Sequence, residues 1–310
     1  MSESVQILDT RLNSVVENAT LEKLCTGAIW SEGPVWIAYD SSVLWSDIPN
    51  NRMLRWSKKE GMQVWASEVD FTNGHALNQQ GELLHCSHGK RGIYRSAMHS
   101  GVPDPKTSMH KVVDSYQGKR LNSPNDIVVK KDGSIWFTDP PYGILSDHEG
   151  YKGVSELGCC YVFKFDPATD TLTAVTDWID EPNGLAFSPD ERLLYVSDTS
   201  AALRPAGQGN HHIVVFDVIE GQRLDNPRVF AVIEPGLPDG FRVDKQGWIY
   251  TSSEDSVQIY HHDGTLLGKI FVPEKVGNLT FGGPQGNQLF IAASTSLYRI
   301  TLNTHGALHA

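Results

Sequence analysis

Six short stretches of this sequence share one layout: "SEGPVWIAYDSSVLWSD" (31–47), "TNGHALNQQGELLHCSH" (72–88), "PNDIVVKKDGSIWFTDP" (124–140), "EPNGLAFSPDERLLYVSD" (181–198), "PDGFRVDKQGWIYTSSE" (238–254) and "GNLTFGGPQGNQLFIAAS" (277–294). Placed in phase, they put Glu32, Asn73, Asn125, Asn183, Asp239 and Gly277 at one equivalent position. Five of these six residues carry a side-chain oxygen, and two of the five are acids. Asn-Gly, Asn-Asp and Asp-Gly pairs also mark turns, where the side chain merely bonds local backbone. That local reading suffices for one unit. Five units in phase favour a shared polar site instead. Carboxylate and amide oxygens without Cys or His select a hard cation, Ca²⁺ most naturally, with Mg²⁺ or Mn²⁺ as alternatives and Zn²⁺ tolerated.

The elements that would gather these residues follow from the rest of each unit. A short apolar run leads into a polar turn, often Asp-Gly or Gln-Gly, and then into a second run ending in Ser, Thr or Asp. Further β-branched and aromatic runs lie between units, among them "RMLRWS", "GIYRS", "CYVFKFD", "HIVVFDV" and "SVQIYHHDG". No helical period is evident. Unit starts at 32, 73, 125, 183, 239 and 277 give spacings of roughly 40 to 60 residues, which suits a radial array of four-stranded blades. The pattern predicts an all-β, six-bladed β-propeller with a central metal site. The last unit has room for only about three strands, so "ATLEKLCT" near the N-terminus is expected to supply the fourth and close the ring. Residues 1–310 then form a single domain, with 100–107 and 202–210 as loops connecting blades.

Composition narrows the function. The 310 residues carry a formal net charge of −11, and basic residues gather only in small clusters such as Lys90-Arg91, which argues against a nucleic-acid partner. The N-terminal stretch has no basic segment followed by an apolar run, and no eighteen-residue apolar stretch occurs, so a cytoplasmic protein without a membrane partner is expected. Cys25, Cys86, Cys159 and Cys160 lack zinc-site spacing and read as small core residues. G-x-S-x-G, H-E-x-x-H, P-loop and G-x-G-x-x-G motifs are absent.

The ordered set "SEGPVW", "KRLNSPNDIVVKKDGSIWFTDPPYGI", "EPNGLAFSPDERLLYVSD" and "LPDGFRVDKQGWIYTS" closely resembles the SMP-30/gluconolactonase/LRE-like family, above all its bacterial gluconolactonase-type members. The resemblance implies hydrolysis of a small-molecule lactone, commonly a sugar lactone, with a divalent metal on the propeller axis. It implies Glu32, Asn183 and Asp239 as metal ligands and Asn125 as an axial contact to metal or substrate. Asp239 falls on the position of the family's general base, and Arg120 resembles a substrate-contacting arginine. "DPPYGI" departs from the acidic substrate-contacting stretch of animal members.

Lactone hydrolysis needs a polarised carbonyl, a nucleophilic water and a stabilised oxyanion, and one cation with open positions serves all three. Asp239 can accept the proton of that water while Asn125 and Arg120 hold ring oxygens and hydroxyls. His75 and His88, near strand ends of the second unit, are further candidates for substrate contact. A metal-dependent esterase or organophosphate hydrolase would use the same cation. A propeller that only binds a partner, its metal structural, is the reading from another class.

Overall fold

The computed structural model describes residues 4–96, 98–99, 102–103 and 109–307. Strands dominate them, in six antiparallel sheets arranged as the blades of a propeller. Blade one is Ser31–Ile37, Ser42–Asp47, Arg52–Ser57 and Gly61–Ser67, from the axis outward. The inner strands of blades two to six are Thr72–Leu77, Ile127–Val129, Pro182–Phe187, Phe241–Val243 and Val276–Gly282. Blade six draws only three strands from the end of the chain, and Glu22–Thr26 completes it as the outermost strand, paired to Ser296–Thr301. A strand from each end of the chain thus locks the ring. Blade five carries an outer fifth strand, Val5–Ile7, laid along Leu266–Phe271, which the repeat does not foretell.

Among the described residues, six apolar clusters occupy the six gaps between neighbouring blades. The strand Leu193–Asp198 shows how one run of sequence feeds two of them. Leu194 and Val196 enter the core shared with blade three, and Tyr195 enters the core shared with blade five. Successive side chains of a strand face opposite ways, and here both faces are covered. That is why inner and second strands read as nearly continuous apolar runs rather than clean alternations. The gap between blades five and six is enlarged by Leu12, Val15, Val16 and Ala19 from the N-terminal segment.

The glycines after the axial residues serve the approach of blade to blade. A Cβ built on Gly33 would lie 2.1 Å from the Asn73 carbonyl oxygen, one on Gly74 2.4 Å from that of Asn125, and one on Gly184 2.5 Å from that of Asp239. Without the Cβ, the Gly74 and Gly184 N–H groups donate to those Asn125 and Asp239 oxygens at 2.9 Å, and Gly240 N–H to Gly277 at 2.8 Å. The hydroxyls that end the second strands do similar work. Ser46 donates to the Asn73 carbonyl at 2.9 Å, Thr138 to Asn183 at 2.7 Å and Ser197 to Asp239 at 3.1 Å.

Two expectations need correction, on residues 202–210 and on the cysteines. Residues 202–210 lie between the second and third strands of blade four, because Leu193–Asp198 pairs directly with His212–Ile219, so this loop is internal to a blade. Residues 100, 101 and 104–107 of the other loop lie outside the described residues. Only Cys86 of the four cysteines is buried, and Cys159 is exposed on an irregular stretch ahead of Tyr161–Asp166. No helix among the described residues is long and apolar enough to cross a membrane.

Gly184→Ala tests the blade contact, since the new methyl would meet backbone that cannot rotate away. The expected loss is about 1–3 kcal/mol of unfolding free energy, the scale of overpacking. Gly153→Ala, where the nearest atom lies 3.7 Å away, should change urea unfolding little. Equal midpoints for the two variants would refute the close-approach account.

Candidate active site

The inner strands all run the same way through the ring, so their first residues meet at one end of the axis. A cavity of about 190 Å³ lies there, lined by Glu32, Asn73, Asn125, Asn183 and Asp239 from five different blades. Trp30, Ile48, Ala202 and Leu237 give it apolar walls, and Tyr142, Glu149, Thr199 and Lys275 add polar groups from loops outside the repeat. A larger cavity, about 550 Å³, opens where the inner strands end, and its walls include Val35, Leu77, Val129, Phe187, Val243 and Phe281 but no carboxylate. It has the volume of a ligand pocket but lacks anionic donors for a hard cation. Between the two lies the buried Asp126, paired at 3.3 Å with Arg242, whose side chain lines the larger cavity.

The polar residues of the small cavity are held from behind. Glu32 Oε2 accepts from Gly33 N–H at 2.9 Å and from Asn278 Nδ2–H at 3.1 Å, while its Oε1 is buried with no hydrogen-bond partner among the described residues. Asn183 Nδ2–H donates to the Thr199 hydroxyl at 3.3 Å. Thr199 in turn meets the Tyr142 hydroxyl at 2.6 Å. Burial, followed by the charge of Asp239, pushes the Glu32 carboxyl well above the usual carboxylate range. Burial raises Asp239 to about 7 against the opposing pull of Lys275, with Glu149 adding to the rise and a hydrogen bond from Asn183 resisting it.

Two like charges in one small space, and a carboxylate oxygen without a donor, are the marks of a place built for positive charge. Glu32, Asp239, Asn125 and Asn183 are an all-oxygen donor set, and they fit a hard divalent cation. Among the described residues no group of three or more His, Cys, Asp or Glu side chains could hold a metal, so the two acids would depend on the neutral amides to complete the set.

Other sequence candidates lie elsewhere. His75 lines the larger cavity, its Nδ1–H donating at 2.7 Å to the Gly33 carbonyl and its ring standing edge-on to His85 at 5.2 Å. It follows Asn73 by two residues across a register shift in the inner strand, which carries it farther down the channel. Arg120 is exposed on the hairpin Ser115–Tyr116/Lys119–Arg120 and does not line the cavity. The reason is Asp139, whose two carboxylate oxygens fasten the Asn122 and Ser123 N–H groups at 2.8 and 2.9 Å, turning the chain inward only after Arg120. His88 stands behind the wall, 3.3 Å from Asn73, and burial pushes its ring down to about 4, leaving it neutral. Asn278, not Gly277, is the blade-six residue that reaches Glu32.

The match to known proteins extends over this whole arrangement. Residues 30–295 match the SMP-30/Gluconolactonase/LRE-like region. The chain belongs to the SMP-30/gluconolactonase/LRE-like family. It is similar to the gluconolactonase of Zymomonas mobilis, 32% identical over 322 residues, spanning 96% of this chain and 85% of that protein. The pentonolactonase of Haloferax volcanii is 28% identical, spanning 85% of this chain and 81% of that one. A gluconolactonase structure from Xanthomonas campestris superposes with a TM-score of 0.87 at 39% identity, covering 97% of this chain and 95% of that one. Agrobacterium tumefaciens regucalcin, a calcium-binding protein, has a TM-score of 0.71 at 18% identity, covering 93% and 94%, and shares the fold.

The raised acids of this family member give a pH prediction. A carboxyl raised in the folded state contributes stability at low pH that is lost as pH climbs through the folded value, here from about 4 to about 7 for Asp239. In chelator, the parental protein should therefore lose unfolding free energy over that window. Asp239→Asn should lose less and exceed the parent at pH 8 by more than the ~0.5 kcal/mol of a neutral surface change. Parallel pH profiles for the two proteins would show that Asp239 is not strained by its surroundings.

Proposed function

We propose that the axial cavity hydrolyses a sugar lactone to its hydroxy acid with the aid of a divalent cation, residues 1–310 acting as one domain. The protein is a lactone-hydrolysing enzyme by its family and relatives. The observation that carries the mechanism is a pair of acids, buried Glu32 and half-buried Asp239, sharing one cavity with amide oxygens and with a carboxylate oxygen that no described group satisfies. Glu32, Asn125, Asn183 and Asp239 would hold the cation, and the hardness of their oxygens supports Ca²⁺ ahead of Mg²⁺, Mn²⁺ or Zn²⁺. Bound there, a divalent cation supplies Lewis acidity toward the lactone carbonyl and makes water more acidic.

The chain's own groups account for the proton. Water attacks the carbonyl carbon, its proton passes to Asp239 Oδ, and the carbon to ring-oxygen bond breaks. Asp239 returns that proton to the departing ring oxygen, giving a hydroxyl and a carboxylic acid, and the acid then releases water's second proton to solvent as it becomes the carboxylate. Burial disfavours the ionised form of Asp239 and so helps it take up the proton. The Lys275 charge favours its ionised form. Trp30, Ile48 and Leu237 form apolar wall that limits bulk water around the reacting carbonyl.

Asp239→Asn separates ligand from base. The amide keeps an oxygen donor but loses the proton acceptor, so hydrolysis should fall by about 10² or more at matched cation occupancy. Asn183→Ala removes only a neutral donor, and excess cation should recover most of its rate. Rates are measured by acid release from a panel of lactones, esters and organophosphates with Ca²⁺, Mg²⁺, Mn²⁺ and Zn²⁺ restored to chelated protein. Parental turnover by Asp239→Asn would remove Asp239 as the base, and turnover of esters alone would replace the lactonase reading.

A further inference from the structure

Asn73 presents its amide to the cavity in one orientation only, and His88 decides which. His88 Nδ1 lies 2.8 Å from the Glu149 carbonyl oxygen. A carbonyl only accepts, so Nδ1 carries the ring proton and Nε2 is left as the acceptor. The 3.3 Å contact between that Nε2 and Asn73 Nδ2 is then a bond donated by the Asn73 amide. This turns Asn73 Oδ1 away from the histidine. That oxygen is buried, belongs to a residue only 3% exposed that lines the cavity, and has no hydrogen-bond partner among the described residues. The histidine itself cannot easily turn, because Gly143 packs so tightly on it that a Cβ there would lie 2.5 Å from the His88 Cβ and Cγ.

An aimed acceptor without a donor calls for a donor from the ligand. The acid pair engages amides of its own, Glu32 with Asn278 of blade six and Asp239 with Asn183 of blade four. Asn73 belongs to blade two, outside that set, and its neutral oxygen suits a hydroxyl. We propose that Asn73 Oδ1 accepts a hydrogen bond from a ring hydroxyl of the sugar lactone and that His88 is the residue positioning it, an inference that rests on the lactonase reading above. It makes Asn73 a determinant of specificity for polyhydroxylated lactones over bare ones.

The test compares glucono-1,5-lactone with unsubstituted δ-valerolactone at saturating cation. Asn73→Ala should lower the ratio of kcat/KM for the first over the second by about 10- to 100-fold, the scale of leaving a substrate hydroxyl's acceptor out of the site. His88→Phe should lower the same ratio by freeing the amide to turn. His88→Gln should restore it, since a carboxamide can donate to the Glu149 carbonyl and accept from Asn73. Cation affinity, followed by calorimetric titration, should be unchanged in Asn73→Ala. Equal losses on both lactones, or weakened cation binding that accounts for the loss, would overturn the proposal. Should the parental protein turn over neither lactone, the lactonase reading falls, and this inference with it.

Discussion

Blades one, two and four meet the next blade at the axis through a contact of backbone on backbone that leaves no room for a side chain. Gly74 and Gly184 hand their N–H groups to the axial carbonyl of the next blade, and Gly240 does so toward Gly277. Where the second strand ends in Ser46, Thr138 or Ser197, a hydroxyl adds a bond to the same ring of carbonyls. Buried carbonyls must be paired, and here the pairing crosses from one blade to the next. With the backbone occupied in this way, the side chain of each axial residue has the channel as its open direction. Asn73, Asn125, Asn183 and Asp239 thus converge as a consequence of how the ring is bonded. The Asn-Gly and Asp-Gly pairs are doing something other than marking turns.

Convergence has an electrostatic cost. Asp239 makes Glu32 harder to ionise, Glu149 does the same to Asp239, and Asp126, one residue beyond Asn125, adds a further negative charge to the field at both. Arg242 answers Asp126 directly at 3.3 Å. Arg242 also lines the larger cavity, so the charge that would compensate the acid pair is drawn toward the far end of the channel. Asn278 and Gly33 support one oxygen of Glu32 and leave the other bare. A protein selected only for stability would replace such a pair with apolar residues. Its retention at the cavity wall, beside apolar Trp30 and Leu237, is coherent with a function that uses the strained charge.

The parts of this structure that repeat were legible in the sequence, and the parts that do not repeat were not. Six in-phase units gave the blades, and a shortage of strands in the last unit gave Glu22–Thr26 as the closing strand. Glu32, Asn125, Asn183 and Asp239 followed from phase alone and do meet in one cavity. Phase says nothing about bulges, however. The register shift between Val276 and Asn278 moves the useful side chain of blade six one residue along, and the shift between Thr72 and His75 sends that histidine down the channel. Arg120 was misplaced because its neighbourhood is set by Asp139, a residue at the end of another strand. Tyr142, Glu149 and Lys275 sit on connections whose course only tertiary packing decides.

The connection through 140–150 shows how a loop outside the repeat can act on the ring of axial residues. It contributes Tyr142 and Glu149 to the cavity and packs Gly143 and Gly150 against each other so closely that a Cβ on Gly150 would lie 1.9 Å from the Gly143 carbonyl. The same loop offers the Glu149 carbonyl to His88, and through His88 it sets the face that Asn73 shows to the cavity. Tyr142 works in parallel on the other side, through Thr199 to Asn183. Two axial amides, on blades two and four, are thus oriented by one loop that is no part of the repeat. Changing this loop can alter which oxygens and which N–H groups line the cavity while leaving the axial residues, the blade contacts and the acid pair in place. A propeller with fixed axial chemistry can in this way be retuned for different lactones from a single segment, since the loop controls the direction of the hydrogen bonds as well as the shape of the opening.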